Sequence, residues 1–323
     1  MTDKRKRYID VDTLEALAEH GLQRIAIAIG VFDGVHKGHQ LLIRELVKMA
    51  KENDAVPVAF TFNPHPRAVL HPDAAPPLLM PHSKKVELLH KYGVKAVVSM
   101  AFSKKLASLT PEMFIKTCLL SPKLKLCGIC VGKNWKFGAG GKGGTELLEK
   151  FADEGHFKFK SVRELVIDNQ LVSSTSVRKA VSAGLLDEAE KMLGRPYSLT
   201  GEVEAGNKLA ASELSCPTAN IKVLHGAMPP NGVYAGFTIC GGKRFKSAVA
   251  IGLSPTFGPI NRHPRIESHI FDFSEDIYGR DIEIELIKYL REERCFSSVE
   301  HLKQQIEKDL REIKKILEDK KYE

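Results

Sequence analysis

Apolar and polar positions change rhythm once along this chain. In the first half, apolar runs at Ile25–Ile29, Val56–Phe62, Val94–Val98, Leu126–Val131 and Val162–Ile167 are rich in Val, Ile and Phe. Runs of this length without alternation predict strands buried on both faces. Between several of them lie Leu41–Met49 and Lys84–His90, amphipathic stretches of helical spacing. Strands that alternate with helices predict a parallel sheet with helices on both faces, a Rossmann-like α/β unit. Further on the rhythm shortens. Gly232–Ile239, Ser247–Ile251, Ser268–Phe273 and Ile282–Ile287 are short apolar alternations separated by Gly, Pro, Asn and Asp, the pattern of an antiparallel β-barrel. After them Val299, Leu302, Ile306, Leu310, Ile313 and Leu317 form the apolar stripe of a terminal helix.

A cap and a break separate the halves. Ser173-Ser-Thr175 reads as a capped helix start, and the helix is expected to run to Leu193, where Gly194-Arg-Pro196 ends it. The expected domains are therefore 1–193 and 194–323, each long enough to bury its own core.

Composition adds little to this. The chain is 43% hydrophobic and 27% charged, ordinary for a globular protein. Its formal charge of +8 suits an anionic ligand. Without an arginine-rich tail or a repeated aromatic–basic motif, lysines on solvated helix faces account for it, and no nucleic-acid partner is expected. No apolar segment has signal-peptide or membrane-spanning length, so a cytoplasmic protein without a membrane partner is expected, its six cysteines free thiols. Cys127-Gly-Ile-Cys130 lies in a strand-like run that sends the two sulfurs to opposite sides, which argues against a metal there.

The chemistry is concentrated after the first buried strand, in Gly30-Val-Phe-Asp-Gly-Val-His-Lys-Gly-His39. A tight glycine turn there feeds a helix, whose first N–H groups and positive dipole end attract phosphate. Gly30 and Gly34 allow close backbone approach, and His36 and His39 offer imidazole N–H donors. Asn63 to Pro66 follows the second strand and Gly132 to Gly138 the fourth, so both reach the same carboxyl edge. Glycine-dense Gly138 to Gly144 is expected to be a mobile loop over that edge. Arg178, one turn into its helix, carries a fork suited to a triphosphate.

These motifs resemble the prokaryotic bifunctional riboflavin kinase/FMN adenylyltransferases, also called FAD synthetases. The likeness continues through Phe62-Asn-Pro-His-Pro66, Gly132-Lys-Asn-Trp-Lys-Phe-Gly138, Ser173-Ser-Thr-Ser-Val-Arg178, Leu193-Gly-Arg-Pro-Tyr197, Pro217-Thr-Ala-Asn220, Glu267-Ser-His269 and Leu290-Arg-Glu-Glu293. It covers nearly the whole chain in the family's order. The resemblance implies two ATP-dependent, magnesium-dependent reactions, riboflavin to FMN in the second domain and FMN to FAD in the first. It implies His36 and His39 as catalytic groups and ATP against Gly30, Gly34, Asn134, Ser174, Thr175 and Arg178. Flavin is implied near Pro64, His65, Pro66 and Phe137. In the second domain it implies Glu267 as the base, Thr218 and Asn220 as magnesium and ATP ligands, and Arg291 beside the flavin.

The chain departs from the family pattern at Lys208-Leu-Ala-Ala-Ser-Glu-Leu-Ser-Cys-Pro217, which has no glycine where relatives have glycines, and at Ala250, where relatives commonly have Asn. Two alternatives follow: an FMN adenylyltransferase whose barrel serves only flavin binding, and a non-catalytic flavin-binding module.

Overall fold

In the computed structural model, which describes residues 8–204, 218–223, 226–252, 265–294 and 296–319, contacts divide the chain into two units. The first holds the residues up to Pro76 and His82–Ser173, and the second holds Pro77–Pro81 and the residues from Ser174 onward.

Six strands build the first unit: β1 (Ile9–Val11), β2 (Arg24–Ile29), β3 (Val56–Asn63), β4 (Ala96–Ala101), β5 (Lys125–Gly132) and β6 (Lys158–Val162). All pair in parallel in the order β1-β4-β3-β2-β5-β6. Ile25, Ile27, Ile29, Val58, Phe60, Ile129 and Val131 of the three central strands belong to one buried cluster. From β2 the sheet grows toward β3 on one side and β5 on the other. The carboxyl ends of β2 and β5 therefore flank a topological switch point, the place where open α/β sheets bind ligands.

Several expectations are corrected here. The run Val162–Ile167 is not one strand. β6 ends at Val162, and β7 (Val166–Ile167) pairs with β8 (Gln170–Leu171) in a separate hairpin. Asp168 and Asn169 make that turn at φ 49° and 61°, the left-handed pair that a tight hairpin needs. The helix expected from Ser173 to Leu193 is two helices, Ser174–Ser182 and Leu186–Leu193, broken at Gly184, whose φ is 74°. The loop Gly138–Gly144 is tied down. Phe137 and Gly143 exchange backbone hydrogen bonds of 3.1 and 2.8 Å, and the Ala139 N–H donates to the Leu109 carbonyl at 2.7 Å. A Cβ on Gly138 would stand 2.7 Å from the Pro111 nitrogen, so here the glycines permit close packing.

The second unit is the barrel. β9 (Tyr197–Glu204), β10 (Ala219–Val223), β11 (Gly232–Cys240), β12 (Lys243–Gly252), β13 (Arg265–Ile270) and β14 (Asp281–Arg291) close in the order β10-β13-β12-β11-β14-β9. Every pairing is antiparallel. Thr238, Ser247 and Ser268 are fully buried on three neighbouring strands and satisfy one another, at 3.0 and 2.8 Å between hydroxyl oxygens. The helix Val299–Asp319 seats Ile313 and Leu317 on Ala235, Phe237, Phe271 and Ile287. Val299, at the other end of the expected stripe, is exposed.

Candidate active sites

The loop leaving β2 is held in an unusual backbone. Phe32 has φ 55°, Gly34 φ 83° and Val35 φ 38°, values a β-branched residue adopts only under constraint. Three contacts supply that constraint. The Phe32 ring is buried and folds over Gly30, where a Cβ would lie 3.2 Å from the ring. The Gln40 side-chain amide donates to the Val35 carbonyl at 2.9 Å, and Thr61 Oγ1 on β3 donates to the Val31 carbonyl at 3.1 Å.

That backbone delivers His36 to the N-cap of the helix Lys37–Glu52. Its Nδ1 accepts the His39 backbone N–H at 3.3 Å. A nitrogen that accepts needs its lone pair, so the ring proton sits on Nε2. The His36 and His39 rings stack with centroids 3.7 Å apart. Burial, then the charges of His36 and Lys85, hold the His39 pKa well below its ordinary 6.5. His39 is therefore neutral at pH 7, and its Nδ1 is shut off from water with no hydrogen-bond partner among the described residues. The loop thus combines a long helix N-terminus with paired imidazoles, an arrangement made for phosphate.

Other expected residues of the first unit reach the same sheet edge. Pro64, His65 and Pro66 follow β3, and His65 Nδ1 caps the helix Pro66–Leu70 by accepting the Arg67 N–H at 3.1 Å. Asn134 follows β5, and its side-chain amide donates to Glu164 Oε1 at 2.7 Å. Phe137 lies in the core against Phe114, with Trp135 stacked on it at 4.5 Å. Trp135 is only half-buried, so it is Trp135 that carries aromatic surface out of this edge. Ser174, Thr175 and Arg178 fall in the second unit, where they start the helix Ser174–Ser182. Arg178 Nε donates to the Pro77 carbonyl at 2.7 Å.

In the barrel, Asn220 on β10 and Ala250 on β12 both stand directly opposite Glu267 on β13. Glu267 is half-exposed with Arg265 Nε at 3.4 Å. Asn220 Oδ1 is buried and meets no donor among the described residues. An orphaned buried carbonyl oxygen costs about 1–3 kcal/mol, and a cation beside it removes that cost. Thr218 precedes β10 and is half-buried. Arg291 is bound to Asp309 of the terminal helix through Nε at 3.0 and 3.1 Å and Nη2 at 2.6 Å. Asp309, which nothing in the sequence singled out, is buried and also accepts from Gln305 at 2.7 Å. The glycine-free segment 208–217 lies outside the described residues.

The two units together define a class of enzyme: a nucleotide-binding α/β transferase fused to a small closed barrel. Comparison with known proteins makes this specific. The FAD synthetase family matches residues 18–176 and the riboflavin kinase family residues 193–317. A bifunctional riboflavin kinase/FMN adenylyltransferase of Buchnera aphidicola subsp. Schizaphis graminum is 35% identical, covering 92% of this chain and 96% of the relative. One of Haemophilus influenzae is 34% identical over 92% and 96% of the two chains. A crystal structure described as a macrolide-efflux protein of Streptococcus pneumoniae superposes with a TM-score of 0.80 at 29% identity, covering 94% of this chain and 97% of that one. No helix among the described residues is long and apolar enough to cross a membrane. The chain belongs to the bifunctional riboflavin kinase/FMN adenylyltransferase family.

Proposed function

We propose that this enzyme makes FAD in two ATP-dependent steps. Its barrel domain, 194–323, phosphorylates riboflavin, and its α/β domain, 1–193, adenylylates the FMN. The observation that carries the first-domain assignment is the stacked His36–His39 pair at the N-terminus of a 16-residue helix on the switch point.

Adenylyl transfer asks for alignment more than for proton chemistry. An oxygen of the FMN phosphate is already anionic when it attacks the α-phosphorus of ATP, and pyrophosphate leaves. Negative charge grows on the oxygens around that phosphorus. His36 Nε2–H, His39 and the first N–H groups of the helix are the donors for them, with Gly30 and Gly34 giving room for the triphosphate. Asn134 is our further ATP contact in the first unit, and Pro64, His65, Pro66 and Phe137 frame the flavin. For Ser174, Thr175 and Arg178, on the first helix of the second unit, the ATP role rests on the family resemblance alone. Because Phe137 is covered, Trp135 is the better candidate for stacking on the ring. A substitution next to the pair tests this assignment. A Cβ on Gly38 would lie 3.1 Å from both Cε1 and Nδ1 of His36, so Gly38→Ala is expected to tilt the ring and slow FAD formation about tenfold. A steady-state rate within twofold of wild type would show that the ring keeps its place against the added methyl.

Riboflavin phosphorylation does need a base, since the 5′-hydroxyl must lose a proton as it attacks the γ-phosphorus of ATP. Glu267 is our base. The oxygen donors Thr218 and Asn220 suit a hard cation such as Mg2+, and the unsatisfied Asn220 Oδ1 supports that fit. When bound, the metal would neutralise phosphate charge there. Arg291, fixed by Asp309, is our flavin contact in this domain.

Chromatography of flavins after incubation with ATP and Mg2+ tests the whole reading, with riboflavin in one reaction and FMN in another. FAD is expected in both. FAD from FMN alone would favour the second reading, an adenylyltransferase with a silent barrel, for which Ala250 opposite Glu267 and the glycine-free segment before Pro217 are the grounds. No FAD from either would leave the non-catalytic flavin-binding module.

A further inference from the structure

Beneath the histidine loop lies a lysine that the proposed mechanism does not use. Lys85 sits on the helix His82–Lys91 and is 8% exposed. Its ammonium donates to the Val31 carbonyl at 3.3 Å and to Thr61 Oγ1 at 3.2 Å. The Val31 carbonyl therefore has two donors, Lys85 and Thr61, just before the strained residues Phe32 to Val35. Strain of that kind persists only while its surroundings hold it. The Lys85 ammonium is also within electrostatic reach of the carboxylate of Asp33, a buried residue of the loop itself. With less positive charge beside it, that carboxylate would repel more strongly a triphosphate entering over the loop.

We propose that Lys85 is a positioning residue for adenylyl transfer: from below, it pins the Val31 carbonyl and cancels the Asp33 charge, so that the His36–His39 rim stays in its phosphate-binding shape. This rests on the adenylyltransferase reading of the loop. Lys85 touches no substrate. It acts through the backbone it holds.

The same geometry makes the loop sensitive to alkali. Among the described residues, the charged and titratable groups in electrostatic reach of Lys85 are Asp33 from the loop, Asp10 from β1 and His39 from the helix after the loop. Asp10 is itself held by His82 at 2.9 Å and Ser99 at 2.5 Å. Burial outweighs the two carboxylates and brings the Lys85 pKa down to about 8 from 10.5. Above that pH the ammonium becomes an amine, Asp33 loses this positive neighbour, and ATP binding weakens. Stability runs the other way. The unfolded chain binds the Lys85 proton more tightly than the folded one, so this residue's contribution to stability rises between pH 8 and 10.5. Activity and stability moving in opposite directions is a signature that a merely structural lysine would not give.

The test uses the full-length enzyme and three readouts: ATP affinity by calorimetry, the pH profile of kcat/KM for FMN adenylylation, and riboflavin phosphorylation by the same protein. Wild type is expected to lose ATP affinity about tenfold between pH 7 and 9. Lys85→Met is expected to lose about as much already at pH 7, to abolish the alkaline fall, and to leave riboflavin phosphorylation intact. Lys85→Arg, charged at every pH used, is expected to keep ATP affinity and carry the fall beyond pH 9. If wild type made no FAD, the enzymatic reading would fail by itself, and the calorimetric arm would still decide the role of Lys85. ATP affinity in Lys85→Met within twofold of wild type at pH 7 overturns the proposal. Should that variant not fold, a wild-type affinity that is flat from pH 7 to 9 overturns it equally.

Discussion

His36→Asn is expected to slow FMN adenylylation by roughly 100- to 1,000-fold, about 2.7–4 kcal/mol, the usual loss for one preorganised donor to a charged transition state. The substitution separates two jobs of the ring. Asn is a good N-cap, and its side-chain oxygen replaces Nδ1 as acceptor for the His39 N–H. What disappears is the Nε2–H aimed at phosphate. Stability should therefore hold while the rate collapses. His36→Ala loses the cap as well, about 1 kcal/mol more in stability. His39 adds a pH signature. Its folded pKa lies below the ordinary 6.5, so the stability it contributes is complete above pH 6.5 and is lost as pH falls. Single-turnover FAD formation is the measurement, and a wild-type rate in His36→Asn would end the assignment.

Glu267→Gln is expected to cut riboflavin phosphorylation by about 100- to 10,000-fold, the range for losing a general base. FMN adenylylation by the same protein should be untouched. The change is isosteric, and the Arg265 contact it weakens is long and half-exposed, worth at most about 1 kcal/mol. A melting curve near wild type beside a lost kinase rate is thus the expected pair of results. If FMN still forms at the normal rate, the proton is taken elsewhere and Asn220 is not paired with a base.

The two targets rest on different grounds in the sequence: the histidine loop on a local signal, Glu267 on the resemblance alone. The histidine loop follows a buried strand, whereas alternation from Arg265 to Ile270 puts Glu267 on the face opposite buried Ser268, as a solvent-facing residue would be. Residues acting through tertiary contact were not legible. Lys85 and Lys84 look alike in an amphipathic helix, yet Lys84 pairs with Glu87 at 2.9 Å while its neighbour points inward. Asp309 reads as one more charge on a solvated face until Arg291 is brought to it from β14. β1 leaves no sequence signal because Ile9-Asp-Val11 is too short to carry a period. The two helices carry one sequence signal because apolar periodicity continues across a single left-handed glycine, Gly184. The histidine loop itself was recognisable, but not the strain at Phe32 and Val35, because neither residue type advertises a positive φ.

The barrel's strand order carries a consequence for synthesis. β9 closes the ring by pairing with β14, and the sequence between them spans the whole of the barrel. During translation, the free edges of β9 and β11, both of which pair with β14, stay open until Asp281–Arg291 has left the ribosome. Pairings of such long range are slow to form, and unpaired edges recruit other chains. A nascent chain halted before β14 is therefore the form of this enzyme most in need of a chaperone.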